Sequence, residues 1–186
     1  DGYTILAGIR LKESNNTLIY KMTMDSKGKI SKPSTPIATS NRYMIGLYSS
    51  LTQSQDGSRM AVYDYYSDTL PYNKNTIKEV LKKNKHFAAI VLDKEYNVLN
   101  NINIELPYTA VEAEALDVKI DNEGNIFLLN KIRRGGEFVD VVLIKADGKS
   151  ASSVAIQKID DRMKYVFDIN LTPSTEGNIY ITGRYG

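Results

Sequence analysis

Residues 176–186 read Glu-Gly-Asn-Ile-Tyr-Ile-Thr-Gly-Arg-Tyr-Gly, which is a tight turn followed by an alternating apolar segment. Weaker copies of this phrase occur earlier in the chain, at residues 1–8, 56–63 and 121–128. Glycine supplies the positive-φ position that joins antiparallel neighbours, and alternation of apolar with polar residues is typical of a strand. The repeated phrase therefore predicts a chain built from similar antiparallel units.

A second marker accompanies the turn glycines, namely an apolar run that ends in aspartate. The interval from Gly2 to Asp25 is 23 residues, and the interval from Gly124 to Asp147 is also 23 residues. The corresponding interval in the unit that starts at Gly57 is longer, which indicates an insertion there. Because two markers keep the same spacing, chance recurrence of glycine is a poor explanation of the pattern.

The two markers divide the chain into four units, in which strands are named A to D by their place in the repeat. Residues 1–40 hold strands B to D, residues 41–110 and 111–160 each hold all four strands, and residues 161–186 hold strands A and B. Continuous apolar runs, such as residues 141–144, are typical of strands that are covered on both faces. The predicted strands are 3–11, 17–24 and 30–38 in the first unit, 44–51, 59–66, 87–93 and 98–106 in the second, 115–120, 125–132, 138–146 and 151–159 in the third, and 165–171 and 178–184 in the fourth.

Four-stranded units of this length are typical of β-propeller blades. Residues 177–183, with residues 124–129, resemble the repeat phrase of bacterial β-propeller repeat proteins, which reads GN(I/V)Y(V/I)TG. In those repeats a strand ending in K-x-(D/N)-x-x-G follows, and residues 144–148, Ile-Lys-Ala-Asp-Gly, match its beginning. The resemblance implies antiparallel blades around a central channel. Members of such families are mostly exported or surface-associated and often serve as binding platforms, but the resemblance assigns no role to individual positions.

The number of predicted strands amounts to a little over three blades, whereas propellers close with about four to eight. We therefore expect an all-β fold in which residues 1–186 form part of a larger propeller within a longer chain. An open or twisted β structure with a different closure is one alternative. An ordinary β-sandwich whose spacing is accidental is another.

The composition excludes several function classes. The chain has 24 basic and 22 acidic residues, a formal net charge of +2, which is not the concentrated basic field of a dedicated nucleic-acid binder. It has no cysteine, so disulfides and cysteine-ligated metals are excluded. No window approaches the roughly 18 consecutive apolar residues of a membrane span. The chain opens with Asp1 and not with methionine, and with the family resemblance this leads us to expect a trimmed product located outside the cytoplasm.

The insertion in the second unit, residues 70–85, lies between strands B and C. Ile77, Val80 and Leu81 follow helical spacing, so a short helix with one apolar stripe is predicted. In a propeller the B–C loops emerge on the same face as the connections between blades, which is the face that usually binds partners. The basic residues that the insertion and the B–C loop of the third unit bring to this face are a possible partner surface: Lys78, Lys82, Lys83, Arg133 and Arg134. The alternative is that these side chains form a solvated exterior.

No residue set predicts catalysis, a cofactor or a bound metal. His86 is the only histidine, and no Gly-x-Ser-x-Gly elbow accompanies it. The acidic turns at 121–125 and 160–161 lack the spacing of a calcium loop. Asp117 and Asp168, on two A strands, are weak candidates for binding a cation in the channel.

The sequence thus predicts a non-enzymatic module that binds another protein, within an exported or cell-envelope protein. A carbohydrate- or peptide-binding propeller is the first alternative, since Tyr63, Tyr65 and Tyr66 could stack on a ligand if they are exposed, although packing is their commoner role. A propeller enzyme whose catalytic residues lie outside this chain is the second.

Overall fold

The computed structural model describes residues 2–11, 16–32, 35–40, 43–44, 50–67, 79, 82–148, 154–159 and 166–185. These residues form β-strands that pair only with antiparallel neighbours, so the all-β class predicted from the sequence is confirmed. The strands make four sheets that follow one another along the chain. Sheet 1 contains β1 (Tyr3–Arg10), β2 (Thr17–Met24) and β3 (Ala38–Ser40); sheet 2 contains β4 (Tyr43–Met44), β5 (Ser50–Gln53), β6 (Arg59–Ser67), β7 (His86–Asp93) and β8 (Val98–Glu105); sheet 3 contains β9 (Ala113–Ile120), β10 (Ile126–Arg134), β11 (Glu137–Ala146) and β12 (Val154–Lys158); and sheet 4 contains β13 (Val166–Pro173) and β14 (Ile179–Tyr185).

Within each sheet, consecutive strands are hydrogen-bonded neighbours. Sheet 3 runs in the order β12-β11-β10-β9, and sheet 1 runs in the order β1-β2-β3. In sheet 2, β4 and β5 pair with different parts of β6, so they share the place of one predicted A strand. Residues 45–49, between them, lie outside the described residues.

Most predicted strand boundaries agree with the structure to within two residues, and one predicted strand is wrong. The sequence predicted strand D of the first unit at residues 30–38, whereas the strand that pairs with β2 is Ala38–Ser40. Ile30 makes only an isolated bridge with Met24. Pro36 has no amide hydrogen and cannot donate to a strand ladder, which explains why regular pairing starts only after it.

One turn geometry recurs at the same end of the sheets. The turn begins at Asp25, Ser54, Asp93, Asp121 or Ser174, whose carbonyl accepts a hydrogen bond from the residue three positions later at 3.0–3.3 Å. That later residue has a positive φ, as in a type I turn followed by a bulge. The five positive-φ residues of these turns are Gly28, Gly57, Tyr96, Gly124 and Gly177.

The side chain of the first residue in this turn holds the loop closed. Oδ1 of Asp121 accepts hydrogen bonds from the amides of Glu123 and Asn125, at 3.0 and 2.9 Å. Asp93 accepts the equivalent amides, and its pKa lies below the ordinary value chiefly because the Asn97 side chain donates to it. The aspartate marker and the glycine marker of the sequence are therefore two parts of similar turns.

Gly2 does not occupy the position that the sequence predicted for it. The residue pairing places Tyr3 opposite Met24 and Ile126 opposite Ala146, and each of these partners directly precedes a turn aspartate in the sequence. Gly2 is therefore equivalent to the residue after Gly124, and it has no positive φ. It is constrained instead by space, because an added Cβ would lie 2.7 Å from the Met24 carbonyl oxygen.

Sheets 2 and 3 bury both of their faces. In β6, Ala61 belongs to a core shared with sheet 3, whereas Met60 and Val62 belong to a core shared with sheet 1. In β10, Leu128 faces sheet 2, whereas Phe127 and Leu129 belong to a core shared with sheet 4. This alternation explains the continuous apolar runs of the sequence, since each successive side chain enters a different core.

Polar groups also join neighbouring sheets. Oδ2 of Asp117 on β9 accepts a hydrogen bond from the Leu171 amide on β13 at 2.8 Å. The Asn100 side chain on β8 donates to the Gly148 carbonyl at 2.6 Å, which ties sheet 2 to the turn after β11. These bonds fix how each sheet sits on the next, while the apolar cores supply most of the stabilisation, at roughly 1.5–3 kcal/mol for each fully buried large aliphatic side chain.

The turn geometry predicts unequal effects of two aspartate substitutions. Asp121→Ala removes a buried carboxylate that accepts three hydrogen bonds, and we expect it to lower the free energy of unfolding by about 2 kcal/mol or more. Asp25→Ala, in an exposed turn of similar geometry, should cost clearly less because water replaces the lost contacts. Urea unfolding of both variants measures the difference. Equal losses would contradict this account of the turn.

Candidate partner surface

The linker between β8 and β9 brings the two predicted basic loops together. Its first residue, Leu106, donates its amide hydrogen to the carbonyl of Lys85 at 2.6 Å, just before β7. Its last residue, Glu112, accepts a hydrogen bond from the Arg133 amide at 2.8 Å, near the end of β10. Residues 106–112 thus lie along the B–C ends of sheets 2 and 3, as expected for a face that carries both B–C loops and inter-sheet connections.

A compact turn fixes the end of this linker. Oε2 of Glu112 accepts hydrogen bonds from the amide and the hydroxyl of Thr109, at 2.9 and 2.8 Å. The Glu112 amide in turn donates to the Thr109 carbonyl at 3.0 Å. The Thr109 amide, followed by its hydroxyl, holds the pKa of Glu112 below the ordinary value, with smaller contributions from the charges of Arg134 and Lys85. Glu112 is therefore an anion placed between two cationic segments.

The basic side chains of this face are exposed and stand beside glutamates. Arg134 Nε lies 3.9 Å from Glu112 Oε1, and Arg133 Nη2 lies 3.8 Å from Glu114 Oε2. Exposed pairs of this kind contribute roughly 0–1 kcal/mol. They leave the guanidinium groups available to a partner while making the face mixed in charge and not purely basic.

The insertion contributes Lys82 and Lys83 to the same end. Both are exposed and have helical backbone, and Lys82 Nζ lies 2.9 Å from Glu79 Oε1. Lys78 and the predicted apolar stripe of the helix lie outside the described residues. Four of the five residues predicted for the partner surface are thus described, and the linker places their segments side by side.

The Phe138 ring holds the base of the third-unit loop. The Arg133 guanidinium carbon lies 4.2 Å from the ring centroid, and Lys131 Nζ lies 4.4 Å from it. Cation–π contacts of this kind contribute roughly 0.5–1 kcal/mol at exposed sites and more when they are shielded from water. The Phe138 ring therefore fixes the position of the Arg133 guanidinium group. The adjacent turn contains Gly135 and Gly136, both of which have positive φ.

A buried polar network anchors the linker from beneath. Asn130, which is fully buried, donates through Nδ2 to the Tyr108 hydroxyl at 2.6 Å, and the Tyr65 hydroxyl donates to Asn130 Oδ1 at 3.4 Å. Burial raises the pKa of Tyr108 to about 12 and raises that of Tyr65 even more. Both phenols stay protonated at any physiological pH, so the network is structural. Above it, Val111 is 58% exposed at the surface of the linker.

The sequence did not single out Thr109, Val111, Glu112 or Asn130. An asparagine inside the apolar run 126–132 was a usable signal, because a buried amide needs partners. The pattern Thr-x-x-Glu at 109–112 was another, since it allows a reciprocal cap. The exposure of Val111 had no signal in the sequence.

The other candidates for chemistry are occupied by structural contacts. Asp117 receives the Leu171 amide and lies 3.0 Å from Lys119 Nζ. Asp168 is exposed, has φ 50°, and lies 3.7 Å from Arg184 Nε. His86 is half-buried at the start of β7 and donates its amide to Asn84 at 2.9 Å.

The remaining candidates are the tyrosines of β6 and the acidic turns. Tyr63 and Tyr65 pack on Phe87, each with ring centroids 5.9 Å apart, and the side chain of Tyr66 lies outside the described residues. Among the residues that the structure describes, no cluster of histidine, cysteine, aspartate or glutamate could hold a metal ion. Residues 160–161 lie outside them.

Comparisons with protein-family models and with curated proteins gave no match. The resemblance to bacterial propeller repeats therefore depends on the repeat phrase itself. In the described part of the chain, no helix has both the length and the apolar character needed to cross a bilayer.

The contacts of Glu112 predict a pH dependence. Its pKa is lowered in the folded chain, so its carboxylate stabilises the fold above the ordinary glutamate pKa of 4.5, and this stabilisation is lost as the pH falls through the lowered folded-state value. Glu112→Gln should therefore be less stable than the parent chain near pH 7, and the difference should shrink toward pH 3. Urea midpoints across this range measure it. Glu137→Gln, an exposed change in the B–C turn, is the control, and a difference that grows on acidification would contradict the assignment.

Proposed function

We propose that this chain is a propeller-type, non-enzymatic interaction module that binds another protein at the B–C end of its sheets. The observation that carries the proposal is that the 106–112 linker bonds to Asn84 and Lys85, next to Lys82 and Lys83, and to Arg133, next to Arg134. An ordered linker that bonds to both loops presents them as one surface. Their relative positions are therefore set before a partner arrives, which lowers the entropy cost of binding.

The arrangement of the first strands supports a propeller. The A strands of successive units lie beside one another, with β9 next to both β5 and β13. Oδ2 of Asp117 bonds across one of these junctions, to the amide of Leu171. In a propeller the innermost strands of the blades surround a common channel, so contact between successive A strands is what that architecture requires.

The chemistry of the surface favours a protein partner over a nucleic acid. Glutamates stand next to the basic residues, as Glu112 does to Arg134, and they would repel a phosphate backbone. A partner protein can place acidic groups against the basic residues and basic groups against the glutamates. It can also cover the exposed Val111 side chain. Arginine is enriched in the core of such interfaces, and Arg133 is already positioned by Phe138.

The tyrosine-based alternative is less well supported. A glycan or peptide platform needs rings that are free to stack, and Tyr63 and Tyr65 use theirs against Phe87. A location in the cell envelope is part of the proposal, and its support is the resemblance of the repeat phrase alone.

Charge reversal tests the surface. A photo-crosslinking amino acid at Val111 should capture a protein from extracts of the source cells, and Arg133→Glu with Arg134→Glu should then weaken binding of that purified partner about tenfold or more. Lys27→Glu with Lys29→Glu, at the opposite end of sheet 1, should leave the affinity unchanged. A crosslinker at Ser26 is the matched control for capture. Equal capture from both positions, or equal loss with both charge reversals, would contradict the assignment of the surface.

A further inference from the structure

The strand β1 has an edge that no described strand pairs with. In sheet 1, β2 lies on one side of β1, and the other side is unpaired in the described part of the chain. Alternate residues of an antiparallel strand direct their amide and carbonyl groups away from the partner strand. The amide of Leu11 donates to the carbonyl of Asn16 at 3.1 Å, which fixes the phase of this alternation in the β1–β2 pair. The residues whose backbone groups point to the open edge are Thr4, Leu6, Gly8 and Arg10.

In the other three sheets, an A strand occupies this edge. The strands β5, β9 and β13 pair with β6, β10 and β14, which hold the same place in the repeat as β1. Tyr3 is equivalent to Ile126, since each lies opposite the residue before a turn aspartate. Arg133 is then equivalent to Arg10, and its amide donates to the Glu112 carbonyl on the A-strand side at 2.8 Å. The open edge of β1 is therefore the place of an A strand.

The A strand of sheet 2 provides a second, independent observation. Leu51 on β5 is equivalent to Val118 on β9 and Leu171 on β13, because each lies three positions before the residue that begins the following turn. Val118 and Leu171 are 4% and 1% exposed, whereas Leu51 is 54% exposed. The strands β9 and β13 each lie beside the A strand of the preceding sheet, and β5 has no described A strand of sheet 1 beside it. Leu51 is therefore exposed at the point that an A strand of sheet 1 would cover.

The edge of β1 also lacks the features that normally prevent an edge from pairing. Natural edge strands carry charges, prolines or bulges, or are very short. Residues 3–9 contain no charge and no proline, and their pairing with β2 has no bulge. The edge strands at the D position differ, because β3 and β12 have only three and five residues and because, in β8, the Asn100 side chain accepts the Asn101 amide hydrogen at 2.8 Å. The edge of β1 is thus suited to pairing.

The junction between β9 and β13 indicates which side chains fit this place. Leu116 packs against the core that contains Leu171, and Oδ2 of Asp117 accepts the Leu171 amide hydrogen at 2.8 Å. Because Leu51 is equivalent to Leu171, a strand beside β1 needs an apolar residue to cover Leu51 and, next to it, an oxygen acceptor for the Leu51 amide. Residues 116–120, Leu-Asp-Val-Lys-Ile, give the whole pattern, which is apolar, acidic, apolar, any residue, apolar.

We propose that the open edge of β1 binds an extended segment of a partner protein that carries this pattern and pairs antiparallel to β1. The added strand takes the place of an A strand, so the site is compatible with the propeller proposed above and does not depend on the B–C end of the sheets. Backbone hydrogen bonds to the edge supply affinity, and alternate side chains supply specificity. The third and fifth side chains of the pattern lie across from Ile5 and Tyr3, as their counterparts in β9 lie across from Leu128 and Ile126.

A labelled peptide that copies residues 113–121 tests the site by fluorescence anisotropy. We expect saturable binding to the chain, with a Kd on the order of 10–100 μM. Thr4→Pro removes an amide at the open edge and leaves the hydrogen bonds to β2 in place, since proline is tolerated where a strand edge faces solvent, and it should weaken binding about tenfold or more. Asn103→Pro removes an outward amide from the exposed edge of β8 and is the matched control, which should bind like the parent chain.

A second pair of variants tests the side of the site that β5 forms. Leu51→Lys should weaken binding of the same peptide by a similar factor, whereas Leu99→Lys, at a 48% exposed position on β8, should not. Absence of peptide binding to the parent chain overturns the proposal, and so does equal weakening by a variant and its matched control. Self-association of the chain that the peptide abolishes also overturns it, since a second copy then occupies the edge.

Hydrogen exchange measured by NMR on the parent chain does not depend on the folding of any variant. Saturating peptide should slow the exchange of the Thr4, Leu6 and Gly8 amide hydrogens and leave that of Asn103 unchanged. Protection of Asn103 without protection of Gly8 would place the peptide on a different edge and contradict the assignment.

Discussion

The structure depends on burial of both faces of its central sheets. A strand of sheet 2 or sheet 3 sends alternate side chains into two different cores, as Ala61 and Val62 do in neighbouring positions. No single sheet of this size can remove its apolar side chains from water, so each sheet is stable only with the next one in place. This constraint explains the apolar runs, the short turns and the order of the sheets along the chain.

The turns solve a different problem, which is how to reverse the chain without leaving polar groups unpaired at the ends of the sheets. An aspartate or serine at the first position accepts amide hydrogens that the strand ladder cannot reach. A glycine three positions later takes the backbone conformation that the bulge requires, and Tyr96 shows that another residue can take it. At the opposite end of the sheets, the 106–112 linker lies between the segments that carry Lys82 and Lys83 and those that carry Arg133 and Arg134.

Strand positions could be predicted because they follow from local chemistry. The alternation of apolar residues and the aspartate and glycine markers depend only on residues close together in the sequence. The bounds of β2, for example, are those predicted. The prediction of a strand at residues 30–38 was wrong because it used the side-chain pattern alone and ignored that Pro36 has no amide hydrogen to donate. Gly2 was misplaced by one position because its pairing partner, not its type, defines its place in the repeat.

The candidate surface was predictable only in part. Loop position follows from topology, which is why Arg133 and Lys82 were expected at the same end. The partners of those charges depend on how the linker folds back between two sheets, and the sequence does not specify that. Asn130 illustrates the same limit, since its role appears only when Tyr65 and Tyr108, distant in sequence, meet beside it.

The two-sided burial of the central sheets also sets the order in which the protein can open. Sheets 1 and 4 each share one core with a described neighbour, whereas β7, β10 and β11 border two. Partial unfolding should begin at the ends of the row and proceed inward, so amide hydrogens of β14 and β1 should exchange with solvent through local opening. Amide hydrogens of β10 and β11 should exchange only when the whole molecule unfolds.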